Sequence, residues 1–276
     1  MTYCVAVRVD QGLVMLSDTR TNAGMDNIAR FRKSFTYHVE GERAITLLCS
    51  GNLSITQGVK TMLSRAIREA ESDPEVETIL NCDTMHRAAQ LVGDAMRTMQ
   101  GRYRESIAMD GSAASASIMI AGQRKGGKPR LYLIYSAGNF IEATEDTPFF
   151  QIGEHKYGKP ILDRVVTPAT SLADARKAVL LSMDSTLRSN LSVGLPIDLL
   201  TYETGTLKIE HTKRMEAALK KAGVPVESLY YDTEGHGFYT DPHRREYYAK
   251  LLAFLSRSLG GATAQVTAAG NAEKAP

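Results

Sequence analysis

The stretch Met1-Thr2-Tyr3-Cys4-Val5-Ala6-Val7-Arg8-Val9-Asp10-Gln11-Gly12-Leu13-Val14-Met15-Leu16-Ser17-Asp18 reads as a β-hairpin that begins almost at the first residue. Tyr3 to Val9 is β-branched and apolar, Asp10-Gln11-Gly12 has turn chemistry, and Leu13 to Ser17 supplies the returning strand. Chain ends ordinarily fray, but this pattern holds Thr2 at the end of a strand. Once Met1 is removed, Thr2 carries a hydroxyl and a free α-amine on one residue. An amine titrating near ~7.7–8.0 can accept the hydroxyl proton at neutral pH, so Thr2 would be a nucleophile with its own base. Many chains begin Met-Thr without catalytic consequence, and the dipeptide alone means nothing more than ordinary trimming.

Beyond the hairpin, Phe31 to Tyr37 and Arg43 to Cys49 read as a second strand pair turning at Val39 to Glu42. Ser50-Gly51-Asn52 then opens a helix whose apolar positions Ile55, Val59, Met62, Leu63 and Ile67 recur at helical spacing through Glu71. Asp83 is expected to cap a second helix carrying Ala88, Val92, Met96 and Met99. Ala114 to Ala121, Leu131 to Tyr135 and Phe149 to Ile152 look like strands. Ser171-Leu172-Ala173-Asp174 looks like a capping box before a helix that reaches Leu187, and strands return at Ile197 to Thr201 and Leu207 to Glu210. Periodicity alone says α+β.

Thr2, Asp18-Thr19-Arg20, Lys33 and Ser50-Gly51 together resemble the pattern of the proteasome β-subunit superfamily of N-terminal nucleophile hydrolases. That pattern is an N-terminal threonine, Asp-x-Arg after the first hairpin, a lysine on the next strand and a glycine turn before a helix. Leu187 to Gly194 closes a helix where the family usually shows Arg-Asp-x-x-Ser-Gly, with Ser189 in place of the aspartate and Val193 intervening before Gly194. The Met-Thr start, the serine substitution and the Ser-Val-Gly-x-Pro turn look most like the bacterial ancestral-β-subunit group, Anbu. The resemblance covers residues 2 to 210 and implies a four-layer αββα sandwich. It further implies that Thr2 attacks a peptide carbonyl while its amine takes the proton. An ammonium at Lys33 within ~4 Å would disfavour a second positive charge by a few kcal/mol and keep that amine neutral. Asp18 would hold Lys33, Gly51 would donate its N–H to the oxyanion, and Ser189 and Ser192 would complete the site, Ser192 near the amine. Each has a structural reading as well: Asp18 as a turn cap, Lys33 as an exposed strand charge, the two serines as helix-terminal polar groups. Cys4, two residues inside a strand, reads as a small buried hydrophobe and not a rival nucleophile. Glu154 lies where relatives carry a Gly-Ser pair and receives no role.

The 276 residues suffice for a large core, and a net charge of +2 argues against a nucleic-acid surface. Cys4, Cys49 and Cys82 are an odd number without metal or disulfide spacing and suit a reducing cytoplasm. No apolar run reaches membrane-spanning length and no signal peptide is read, as a free Thr2 amine requires. No cofactor or metal is expected; His211, His236 and His243 have no ligand spacing. Residues 211–259 resemble the last helix, strand, histidine loop and helix of prolyl-oligopeptidase-type α/β-hydrolases, with His236 at the triad histidine. A Gly-x-Ser-x-Gly elbow is absent from the chain, so that histidine reads as an orphan. The expected organisation is a proteasome β-subunit-like domain at 1–210, a truncated α/β-hydrolase-like appendage at 211–259 and a disordered tail at 260–276. The expected partners are a peptide or protein substrate and other copies of the chain in a homo-oligomeric ring or helical assembly, with an ATP-dependent unfoldase left open. Three functions stay in view: a threonine peptidase, a ring-forming scaffold of little activity, and an amidase acting on small amides.

Overall fold

In a computed structural model, which describes residues 2–22, 28–111, 113–212, 245–246 and 249–250, the elements run as follows. Strands β1 (Tyr3–Val9), β2 (Gly12–Asp18), β3 (Arg20–Asn22), β4 (Ile28–Arg30), β5 (Ser34–Val39) and β6 (Arg43–Gly51) precede helices α1 (Leu53–Ala70) and α2 (Met85–Met109). Strands β7 (Ala116–Arg124), β8 (Arg130–Ile134), β9 (Phe140–Glu142) and β10 (Phe149–Gly153) follow. Helices α3 (Lys159–Val165) and α4 (Leu172–Ser189) and strands β11 (Ile197–Glu203) and β12 (Ile209–Thr212) close the series.

Two five-stranded antiparallel sheets result, ordered β10-β1-β2-β11-β12 and β5-β6-β7-β8-β9, with β3 and β4 forming a separate ribbon. The opening hairpin sits in the first sheet in the register Cys4 opposite Ser17 and Ala6 opposite Met15. Alternation sends Tyr3, Val5, Val7, Val14 and Leu16 to one face, against Leu162 and Val179 of the helices α3 and α4. Cys4, Ala6, Leu13 and Met15 go to the other face and meet Ala44, Leu48, Met119 and Ala121 of the second sheet. The far face of that sheet, with Ile45, Leu47, Ile118 and Ile120, packs on Val59, Val92 and Met96 of α1 and α2. Helix pair, sheet, sheet and helix pair make the four-layer αββα sandwich. Because β1 and β2 are covered on both sides, their sequence reads as an apolar run instead of an apolar-polar alternation. Each buried Val, Leu, Ile or Met among them contributes ~1.5–3 kcal/mol by burial.

Two expectations need correction, and three short strands are added. Phe31 to Lys33 are not part of the strand: the Phe31 N–H donates to the Thr19 carbonyl at 2.9 Å, which draws the segment away, and pairing begins at Ser34. Helix α2 is capped by Thr84, whose side chain accepts the Arg87 N–H at 3.0 Å, while the Asp83 carbonyl is taken by the Arg124 guanidinium. Strand β9 and the β3–β4 ribbon, three residues a strand, carry too little periodicity to be read. The capping box at α4 is present, with Ser171 Oγ accepting the Asp174 N–H at 3.1 Å.

These elements belong to a first compact unit, Met1–Met215; a second, Glu216–Pro276, is described only at residues 245–246 and 249–250, which are helical. The expected strand at Val226 to Tyr231, His236, His243 and the tail from Gly260 lie outside the described residues. Among the described residues no helix is long and apolar enough to cross a membrane.

Candidate active site

Thr2 precedes β1 and is 9% exposed. Both ends of the peptide unit that follows its Cα are held. The Thr2 carbonyl accepts the Glu154 N–H at 2.7 Å, and the Tyr3 N–H donates to Asp18 Oδ1 at 3.0 Å. Gly153, opposite Tyr3 in the sheet, has φ +85°, and a Cβ there would stand 2.0 Å from the Thr2 carbonyl oxygen. Only glycine lets β10 come this close.

Asp18, the last residue of β2, has no solvent exposure. Its Oδ1 accepts from Lys33 Nζ at 2.7 Å as well as from Tyr3, and its Oδ2 accepts the N–H groups of Arg20 at 3.2 Å and Gly194 at 3.3 Å. Four donors satisfy the carboxylate. Burial pushes its pKa above the ordinary aspartate range, and Lys33 with the Tyr3 and Gly194 N–H groups pulls part of the way back. Lys33 is 5% exposed and donates a second hydrogen bond to the Arg20 carbonyl. Although it lies outside β5, its own carbonyl accepts the Cys49 N–H at 2.9 Å, which pins it to the edge of β6. The structure therefore makes Asp18 and Lys33 a buried ion pair, so Lys33 is not an exposed strand charge, while Asp18 also caps the turn after β2 through the Arg20 N–H.

Thr2, Lys33, Ser50 and Gly51 line one cavity of about 350 Å³. Gly51 ends β6 with φ +93°, and a Cβ would lie 2.3 Å from the Ser115 carbonyl, so close approach of β7 requires glycine here irrespective of any ligand. Asn52 follows as the N-cap of α1, its side chain accepting the Ser54 and Ile55 N–H groups. Ser189 is exposed at the last position of α4. Ser192 is half-buried in the following turn, where its N–H donates to Asn190 Oδ1 at 2.9 Å. Neither serine lines the cavity that Thr2 and Lys33 share.

The residue passed over in the sequence is Glu154. It is 6% exposed; Oε1 accepts the His155 and Lys156 N–H groups, each at 2.9 Å, and Oε2 accepts the Asn190 amide at 2.8 Å. Glu154 thus links the Thr2 carbonyl, through its own N–H, to the turn that carries Ser192. Nothing in Ile152-Gly153-Glu154-His155 distinguishes it from a surface glutamate, since Asn190 and the Thr2 carbonyl, which draw it inward, come from distant segments. Burial pushes its carboxyl up, but the hydrogen bonds from Lys156, Asn190 and His155 outweigh this and the net shift is downward. With the folded value below the unfolded one, the stabilisation is present above the ordinary glutamate range near ~4.3 and is lost as the pH falls through the folded value. Glu154→Gln should flatten the acid limb of the stability profile. Glu154→Ala should destabilise by about 1–3 kcal/mol at neutral pH, both read from urea midpoints across pH.

Cys4 is fully buried and its thiol donates to the Cys49 carbonyl at 3.6 Å. Burial first, and Asp18 second, push its pKa well above the ordinary thiol range. A thiolate, which nucleophilic attack needs, is therefore disfavoured at this position.

The family model described as "Proteasome subunit" matches residues 2–200, and that described as "Prolyl oligopeptidase family" matches residues 206–262. Among solved structures, an Anbu mutant from Hyphomicrobium sp. strain MC1 is 44% identical, covering 84% of this chain and 100% of that one, with a TM-score of 0.68. Anbu (ancestral beta-subunit) from Yersinia bercovieri is 37% identical over 95% of this chain and 100% of its own, with a TM-score of 0.70. The helical assembly of the Anbu complex from Pseudomonas aeruginosa gives 39% identity over 96% and 99%, with a TM-score of 0.72. No match was found among curated proteins.

Proposed function

Since the chain belongs to the proteasome subunit family and, within it, to the Anbu group, we propose that it is a threonine-type endopeptidase whose nucleophile is Thr2 after removal of Met1. The observation that carries this reading is the presence of Thr2, Lys33 and Gly51 on one cavity, with Lys33 held by the buried Asp18 carboxylate. In the reaction Thr2 Oγ attacks a peptide carbonyl and its α-amine takes the proton. The C–N bond then breaks, the departing amine leaves with that proton, and an ester to Thr2 remains. Water, deprotonated by the same amine, hydrolyses the ester and restores the hydroxyl. The fixed charge of Lys33 keeps the α-amine neutral between these transfers. The Gly51 N–H serves as oxyanion donor, a contribution of ~2.7–4 kcal/mol to the transition state. Asp18 acts through Lys33, and Ser192 and Ser189 act through the turn after α4.

The chemistry resides in residues 1–210, with 211–259 an appendage that takes no part in it, and the protein works in the cytoplasm. Copies of the chain assemble with one another, as the Pseudomonas aeruginosa relative does in its helical form. Leu191 and Leu195, 91% and 53% exposed on the turn after α4, are apolar side chains of the kind that such contacts cover. One observation favours the ring-forming scaffold as a second reading: Ser189, where the family pattern has aspartate, is exposed and away from the cavity. Intact mass and covalent labelling separate the two. The purified chain should lack the mass of Met1 and should form a single adduct with a peptide epoxyketone, whose ring closes on both the hydroxyl and the amine of an N-terminal threonine. A retained Met1, or an adduct anywhere but Thr2, would overturn the peptidase reading.

A further inference from the structure

The cavity beside Thr2 has a charge that the proposed reaction does not use. Three of its lining side chains are cationic, Arg32, Lys33 and Lys60, and none of the lining residues is acidic. Lys33 is occupied by Asp18 and the Arg20 carbonyl and cannot turn outward. Arg32, exposed, and Lys60, half-buried on α1, have no acidic partner among the described residues. The Lys60 ammonium stands 4.5 Å from the centroid of the Phe35 ring, and Phe35 lines the same cavity. The ring face is therefore already covered by a cation.

We infer that this cavity receives an acidic side chain, on the substrate residue whose carbonyl Thr2 attacks, with Lys60 as its charge partner. The inference rests on the peptidase reading. The residue contributing the attacked carbonyl is the one whose side chain leaves the main chain nearest Thr2, so a cavity that Thr2 itself lines is the space open to it. A glutamyl side chain matches the lining group by group: its methylenes lie along Phe35 and its carboxylate meets the Lys60 ammonium, with Arg32 beyond. An apolar side chain would displace the ammonium from the ring or seal it from water without a counter-charge, at a cost to binding. A lysyl or arginyl side chain would add a fourth positive charge, and this like-charge juxtaposition excludes it. Lys60 is thus a specificity-determining residue.

The test uses the purified full chain and four fluorogenic tetrapeptides that differ only before the scissile bond, carrying Glu, Gln, Leu or Lys there. The glutamyl peptide should exceed the glutaminyl one in kcat/KM by about tenfold, which is about 1.4 kcal/mol. The lysyl peptide should be the poorest. The Glu-to-Gln ratio should shrink as salt is raised, because the pair is partly solvent-accessible. In Lys60→Met it should fall towards unity, and in Lys60→Glu the lysyl peptide should overtake the glutaminyl one. A ratio of one or less in the unaltered chain, or a ratio unchanged in both variants, overturns the inference while leaving the peptidase reading standing. Absence of turnover on all four peptides, together with absence of any Thr2 adduct with glutamyl and glutaminyl epoxyketones, rejects the peptidase reading and the inference with it. Where adducts form without measurable turnover, the ratio of the two labelling rates decides in place of kcat/KM.

Discussion

Thr2→Ala is expected to abolish peptide hydrolysis, by at least about 10⁴-fold in kcat/KM, and to leave the fold in place. The two halves of this outcome have separate causes. In the proposed mechanism the Thr2 hydroxyl oxygen forms the ester, and none of the other residues lining the cavity combines a hydroxyl with a free α-amine. The fold does not depend on it, because Thr2 is held through its carbonyl, bonded to the Glu154 N–H, and through the next N–H, bonded to Asp18. Alanine keeps both. The urea midpoint should therefore shift by less than about 1 kcal/mol while turnover vanishes. Thr2→Ser, which keeps hydroxyl and amine, should retain part of the activity. Turnover persisting in Thr2→Ala would locate the nucleophile elsewhere and end the mechanism.

Asp18→Ala should cost about 3–5 kcal/mol of stability and, on the proposed mechanism, remove activity in whatever fraction stays folded. The substitution strands the Lys33 ammonium at 5% exposure and leaves the Tyr3, Arg20 and Gly194 N–H groups without their acceptor. Burial raises the Asp18 pKa despite the neighbouring cation, so the pair is no source of stability in itself. Its removal as a unit should therefore cost far less: Asp18→Leu combined with Lys33→Met should recover much of the lost stability while remaining inactive. Urea unfolding of Asp18→Leu, Lys33→Met and the double variant closes the cycle that gives the coupling. A double variant as unstable as Asp18→Ala alone would show that the backbone donors, and not the stranded ammonium, carry the cost.

Glu154 reaches Asn190 and the Thr2 carbonyl, partners that no periodicity connects to it, whereas Thr84 caps α2 through Arg87, three residues on, and differs from Asp83 by a single step in the start of the helix. The sequence around Glu154 carries no sign that it bridges Thr2 and Asn190, and the capping chemistry of Asp83 sits one residue away from the side chain that caps α2. The alternation of Phe31 to Tyr37 places Lys33 inside a strand, yet the Thr19 carbonyl takes the Phe31 N–H and pairing starts later. Short segments such as β9 and the β3–β4 ribbon exist because longer neighbours offer them an edge. A local pattern cannot announce that.

What the order of residues settles here is whatever repeats over a short range. The alternation of Tyr3 to Val9 and Leu13 to Asp18 creates two apolar faces, the helical spacing of α1 and α4 creates one stripe each, and layers built from such surfaces can bury them in few ways. The identities of Thr2, Asp18 and Lys33 are likewise visible in the chain. Their meeting is not. Folding brought a strand start, a strand end and a loop residue to one carboxylate and one cavity, added Glu154 beneath the Thr2 carbonyl, and set Lys60 over Phe35. It did so because a charge withdrawn from water must find its partners in space, wherever along the chain they lie.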